Sequence, residues 1–268
     1  MPACGGPLTE RGHSAYNEGL SKERSILRSV FSWFRKKKSP RETSPGGSAI
    51  LRHESSETRI GLTKERAQFA DARESVYERF FGKAARVFHE VIPLIPHIDV
   101  YTHDPGHDGR NFYTLVTGGM SDLEMTVPVD VRRKRWPEGA SRRVELIFYC
   151  SEPKEEYLKT IKWLARFPHD WKTWIGPGHT IPTENISAPL WGSPVLDTIL
   201  FMPTIVKPDN TLSGELTLAG EPLDFLWVVP LTTPECNLKL EKGFNAILEL
   251  FSQRRHPHVF DPNRKSYV

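Results

Sequence analysis

The sequence predicts an α+β domain in which a mixed, mainly antiparallel sheet packs with helices. Three observations lead there. The segments run helix, strands, helix, strands, helix, without the strict alternation of a doubly wound fold. The first strand candidates are joined by short connections that suit a meander. No dinucleotide fingerprint and no P-loop argues for a parallel nucleotide-binding sheet.

Residues 1 to about 60 are rich in Gly, Ser, Pro and charge, and "KKKSPRETSPGGSA" cannot bury enough apolar surface to offset its ordering entropy. This stretch is read as a disordered basic N-terminal segment. Within it, "SILRSVFSWFRKKK" (Ser25 to Lys38) puts Ile26, Val30, Phe31 and Phe34 on one face of a short helix ahead of four basic residues. Three readings stand: a membrane-surface anchor, a helix docked on its own domain, or a misassigned start. The third is favoured for what precedes Val30, whose codon can serve as an alternative start.

From Leu62 the pattern turns helical. Phe69, Val76, Phe80, Val87 and Val91 recur at steps of seven and four until Pro93 and Pro96, which predicts one long amphipathic helix. Strands are expected at "HIDVYTH", "NFYTLVTG", "MTVPVDV" and "RVELIFYC". A second helix is expected from about Pro153 to Phe167, capped by Ser151, with Leu158, Ile161, Leu164 and Ala165 buried. An aromatic, Gly/Pro-rich loop, "FPHDWKTWIGPGHTIP", follows. Then come strands "VLDTILFM" and "DFLWVVPL", the latter so continuously apolar that it reads as central, with both faces covered. The last helix opens at "TTPE", where Thr232 or Thr233 caps and Glu235 suits the positive end, and is expected to bury Leu240, Phe244, Ile247, Leu248 and Phe251. The domain is thus placed at residues 61–255, with 256–268 as a C-terminal tail.

With 268 residues, 38% of them hydrophobic and 10% aromatic, the chain can build a real core. Its net charge of +3 is local: residues 21–52 hold nine Lys/Arg against two Glu, residues 1–20 one Arg against two Glu, and residues 53–268 carry −3. A nucleic-acid footprint spread over the folded part is not expected. Three widely spaced cysteines (Cys4, Cys150, Cys236) suggest neither a disulfide framework nor a zinc site. With no 18-residue apolar run and no signal-peptide pattern, the expected location is the cytoplasm.

"LVTGGMSDLEMTVP" (Leu115 to Pro128) invites a catalytic reading, but a nucleophile elbow needs Gly two residues either side of the serine, and Leu123 stands at the second position. The stretch also lacks the lysine and helix of a phosphate cradle. We read it as a turn in which Gly118 and Gly119 supply positive φ or a bulge, while Ser121 and Asp122 bond local backbone amides. "THDPGHDGR" gathers His103, Asp104, His107 and Asp108, yet Pro105-Gly106 excludes the helix that would align its histidines, so a solvated loop is the reading. "HEVIPLIPH" is no HExxH: its histidines are eight apart across a proline-broken stretch. His179 in "PGHTIP" is either a pocket residue or a histidine that holds its loop, and Cys150 reads as a small core residue. "RRKRWP" (Arg132 to Pro137) reads as an exposed basic turn.

Five segments in order resemble the suppressor-of-fused domain family: "YTLVTGGMSDLEM", "VELIFYC", "YLKTIKWLARF", "GPGHTI" and "LDFLWVVPLTTPE" followed by "AILELF". The resemblance spans about Leu62 to Arg255. It implies a mixed α/β protein-binding fold with no enzymatic activity and no cofactor. In animals a two-domain relative sequesters transcription factors by gripping a peptide as an added strand. This chain resembles the first of those domains alone, like single-domain bacterial members proposed to be immunity proteins that neutralise toxins. The expected partner is therefore another protein, such as a toxin domain, met through Tyr113, Asp122, Trp171, Trp174, His179 and Thr180. Trp136 and Trp191 are further exposed aromatics on this reading, whereas Trp163 and Trp227 read as core. The alternative is a hydrolase or metal-dependent enzyme built on His179, His103, His107 and Asp122. A third reading tethers the basic N-terminal segment to an anionic membrane or nucleic acid.

Overall fold

The computed structural model describes residues 42–43, 49–50, 64–90, 94–127, 141–182 and 190–268. The chain divides into two units, Met1–Arg59 and Ile60–Val268. In the first, Glu42–Thr43 pairs antiparallel with Ala49–Ile50. The helix expected over Ser25 to Lys38, Trp136 and the basic run Arg132 to Pro137 lie outside the described residues.

The second unit opens with α1 (Lys64–Phe81), followed by β1 (Ala84–Phe88), β2 (Asp99–His103), β3 (Tyr113–Gly118) and β4 (Arg143–Cys150). Then come α2 (Glu155–Asp170), β5 (Thr180–Pro182), β6 (Leu196–Pro203), β7 (Thr217–Leu218), β8 (Glu221–Thr232), α3 (Thr233–Lys242) and α4 (Phe244–Arg254). The sheet order is β1-β2-β3-β4-β8-β6-β5, with β7 added to β8. All pairs are antiparallel except β4 with β8, which run parallel from Leu223↔Arg143 to Trp227↔Ile147. The apolar run of "DFLWVVPL" thus forms the central strand it predicts, buried from Leu226 to Thr232.

Alternate residues of each strand feed two cores. Val144, Leu146, Phe148, Leu226 and Val228 face α2 and its buried Tyr157, Ile161, Leu164 and Ala165. Ile147, Tyr149, Phe225, Trp227 and Val229 face α1 (Val76, Tyr77, Phe80) and α4 (Ile247, Phe251). The sheet is therefore covered on both faces by helices.

Four expectations change. The first helix stops at Phe81 because Gly82 turns to φ +79 and donates its N–H to Glu78 O at 3.0 Å. Val87 continues the helical spacing by coincidence, from an edge strand on the same core as Phe80. Met125 to Val127 do not form a strand: Met125 N–H donates to Arg142 O and Thr126 N–H to Thr173 O. Helix α2 starts after Lys154 without a side-chain cap, so Ser151 caps nothing. The last helix is two helices: a Thr232/Glu235 capping box starts α3, Gly243 separates α4, and Leu240 is exposed rather than buried.

The segment after Arg255 lies on the domain. Phe260 N–H donates to Tyr149 O at 2.9 Å and its ring meets Phe148, Tyr157 and Trp191. Arg264 donates to both oxygens of Glu235 at 2.6 and 2.7 Å.

Candidate functional site

The stretch from Leu115 to Val127 ends β3 in a tight turn organised by a carboxylate from the neighbouring strand. Glu145 Oε1 accepts from Gly119 N (2.9 Å), Ser121 N (3.0 Å) and Ser121 Oγ (2.6 Å), while Oε2 accepts from Thr117 Oγ1 (2.6 Å). Arg73 of α1 reaches in, donating to Ser121 Oγ at 3.2 Å and forming an ion pair with Asp122. Arg143 donates to the Ser121 and Asp122 carbonyls at 2.8 and 3.1 Å. Ser121 and Asp122 therefore bond charged side chains, not local amides as the sequence suggested.

The electrostatics follow from this enclosure. Burial works against a charged Arg73, but Glu145 and Asp122 outweigh it and hold the guanidinium above its ordinary value. Burial lifts the Asp122 carboxyl above its ordinary value, with Arg73 opposing. A group sealed in this way positions a turn and offers nothing to a substrate. Asp122, expected at the contact surface, is thereby removed from direct contact with a partner.

The set of His179, His103, His107 and Asp122 expected for a catalytic alternative is not assembled in one place. His103 is buried on the α1 face of the sheet, near the helix end, with its Nδ1 2.8 Å from Gly82 O; His107 Nε2 lies 3.0 Å from Arg79 O. Asp122 pairs nine residues earlier along α1, about 13 Å away at the helical rise. His179 sits on the other face, its ring 4.1 Å from that of Trp174, which packs on the α2 core. The four groups do not converge. Burial pushes the Cys150 thiol up to about 12, so it holds no ready thiolate.

An aromatic face stands beside this interior. Trp163, Phe167 and Trp171 follow one another at helical spacing on α2 and its C-cap, with ring centroids 5.6 and 6.2 Å apart. Trp171 is 60% exposed and Trp163 38% exposed, so Trp163 is not the core residue expected. Trp191, expected outside, is 4% exposed: its ring packs on Phe148 and its Nε1 donates to Thr160 Oγ1 at 3.0 Å. Trp227 is in the core, as expected.

The remaining residues of the expected surface fall on two places. Trp174 and His179 adjoin β5, an outer strand in which Thr180 pairs with Leu200 and receives Lys239 Nζ at 3.5 Å. Tyr113 begins β3 opposite Cys150, partly buried against the α2 core. A further cluster escaped sequence reasoning: His89, His97 and Asp99 bring one ligand atom each within 4.8 Å of the others. The "HEVIPLIPH" stretch held the signal, but only the return of the chain into β2 closes the gap.

Comparison with known proteins agrees with this architecture. No curated protein matches the chain. The crystal structure of a SUFU homolog from Neisseria gonorrhoeae FA 1090 superposes with a TM-score of 0.57 at 16% identity, over 75% of this chain and 98% of the other. A chain of the Sufu-Fu complex gives 0.47 at 14% identity, over 75% and 91%, and Drosophila Suppressor of Fused gives 0.44 at 14%, over 74% and 50%. The suppressor of fused protein (SUFU) family matches residues 95–265, more than half of the sequence, and the chain belongs to that family.

Proposed function

We propose that this chain is a non-catalytic protein-binding domain that acts by covering the working surface of a partner protein. The observation that carries the reading is the pair of exposed rings Trp163 and Trp171 on α2 and its C-cap, joined by the half-buried Phe167 between them. Large rings held on a rigid helix lose little entropy on contact, and aromatic anchors dominate interface energy. Trp174, His179, Thr180 and Tyr113 are proposed to extend the surface. Occlusion needs affinity and shape, not reactive groups, which suits the sealed state of Asp122, His103 and Cys150.

The finer reading is an immunity-type protein whose partner is a toxin domain met in the cytoplasm. It rests on the likeness to single-domain members of the family. Among the described residues no helix is long and apolar enough to cross a membrane.

Affinity capture with the tagged full chain, washed at high salt, tests both levels against a Trp163→Ala/Trp171→Ala variant. A stoichiometric partner held by the parent and lost by the variant supports binding through the aromatic face, and toxin activity in that partner supports the finer reading. A partner held equally by both proteins rejects the face. Turnover of a hydrolysable substrate by the purified chain, abolished by His179→Ala, rejects the non-catalytic reading.

A further inference from the structure

The loop between β1 and β2 returns His89 and His97 to the two oxygens of one carboxylate. His89 Nδ1 lies 3.1 Å from Asp99 Oδ2, and His97 Nε2 lies 3.2 Å from Asp99 Oδ1. Donors around a tetrahedral zinc ion, at about 2.0–2.1 Å from the metal, stand about 3.3 Å from one another. Each imidazole nitrogen already stands at about that distance from one of the two Asp99 oxygens, and one donor atom from each of the three residues lies within 4.8 Å of the others.

The cluster is braced from behind. Glu90 N–H donates to Asp99 Oδ1 at 3.0 Å and Ile98 N–H to Glu90 Oε2 at 3.3 Å. Arg166 of α2 donates to both Glu90 oxygens at 2.7 Å and to Pro96 O at 2.8 Å. Glu90 Oε2 in turn faces the far ring nitrogen of His97, Nδ1, at 3.8 Å. That separation is longer than a hydrogen bond; a carboxylate that closes on the far nitrogen of a metal-bound histidine fixes its tautomer and strengthens it as a donor.

We propose that His89 Nδ1, His97 Nε2 and the Asp99 carboxylate form a binding site for a zinc-class divalent ion, with Glu90 orienting His97 and a fourth position open to solvent. Two imidazoles and one carboxylate are a zinc-type set, whereas calcium and magnesium take six or more oxygens. Charge points the same way. Arg166 and Lys162, whose Nζ lies 4.4 Å from the Phe88 ring, stand beside Glu90 and Asp99, so the loop is not acidic enough to hold a hard cation by charge. The bound ion ties the end of edge strand β1 to the start of β2. The site is independent of the partner met by the aromatic face.

Calorimetric titration of the full chain with zinc chloride tests it, beside thermal melts with and without the metal. One ion bound per chain, with a rise in melting temperature, is expected, and calcium chloride should produce neither. His89→Ala and His97→Ala should each lower zinc affinity at least about tenfold, in line with the effect of removing a group that supports a metal site. His89 has a side chain 69% exposed, so that variant keeps the fold even if His97→Ala disturbs the loop. Absence of zinc binding by the parent, or equal affinity and equal thermal shift in His89→Ala, overturns the proposal.

Discussion

Ser121 donates its hydroxyl proton to Glu145 across 24 positions of sequence, at 2.6 Å, and the accepting oxygen is the one that takes the N–H groups of Gly119 and Ser121. A single strand carboxylate thus stands in for the backbone partners that a buried turn would lack. Ser121→Ala removes one charge-assisted bond and is expected to cost about 2 kcal/mol. Glu145→Ala strands several donors beside Arg73 and is expected to cost about 3–5 kcal/mol. Urea unfolding measures both, and a Glu145→Ala loss no larger than that of Ser121→Ala would show that the network is not organised around this carboxylate.

Gly119 has φ +105, and a Cβ there would meet His97 O at 1.9 Å. The backbone of the β1–β2 loop blocks it, and backbone gives way less readily than a side-chain tip. Gly119→Val should cost more than about 3 kcal/mol or prevent folding. Gly106→Ala shares a positive φ but meets nothing within 4 Å, so about 1 kcal/mol is expected. Similar melting temperatures for the two variants would rule out the clash.

His103 is sealed in the sheet with its Nε2 unpartnered, and burial, reinforced by Arg110, lowers its pKa from 6.5 to about 4. The unfolded chain therefore takes up this proton before the folded one does. The contribution of neutral His103 is complete above pH 6.5 and is lost as pH falls toward about 4, a span worth about 3 kcal/mol. His103→Asn should flatten the stability profile across that window. Parallel profiles for parent and variant would assign the acid loss to other groups.

Trp171 and Trp191 make opposite forecasts from the same residue type. Trp191→Ala empties a space between Phe148, Tyr157 and Phe260 and should destabilise by about 3–5 kcal/mol. Trp171→Ala should leave stability within about 0.5 kcal/mol and act on partner binding alone. A large stability loss in Trp171→Ala would mean that its ring is part of the core.

Strand and helix patterns carried most of the architecture. The run in β8, the direct antiparallel pairing of β2, β3 and β4 and the Thr232/Glu235 cap are local signals that appear in the structure, whereas the strand expected from Met125 does not form at Met125 to Val127. The buried charges were not legible. Nothing local in the sequence marks Arg73, Arg110 and Arg264 as buried, because their partners Asp122, Asp209 and Glu235 lie far off in sequence. Trp163 and Trp191 exchanged places for different reasons. The buried face predicted for α2 already sets Trp163 on the opposite side of the helix, so that signal was present, whereas Trp191 is pinned by Thr160, 31 positions away. The His89 and His97 pair shows the same limit, since its spacing resembles no metal motif until the chain turns back.

The parallel seam between β4 and β8 has a kinetic consequence. It joins residues eighty positions apart, Arg143 to Leu223 at one end and Ile147 to Trp227 at the other. Bringing such distant segments together costs chain entropy that is recovered only once both flanks of the sheet are in place. The meander on one side and the later strands on the other therefore form and melt as one cooperative unit. The amides along the seam should be the slowest in the molecule to exchange with deuterium, and a single proteolytic cut between β5 and β6 should leave two fragments that remain associated.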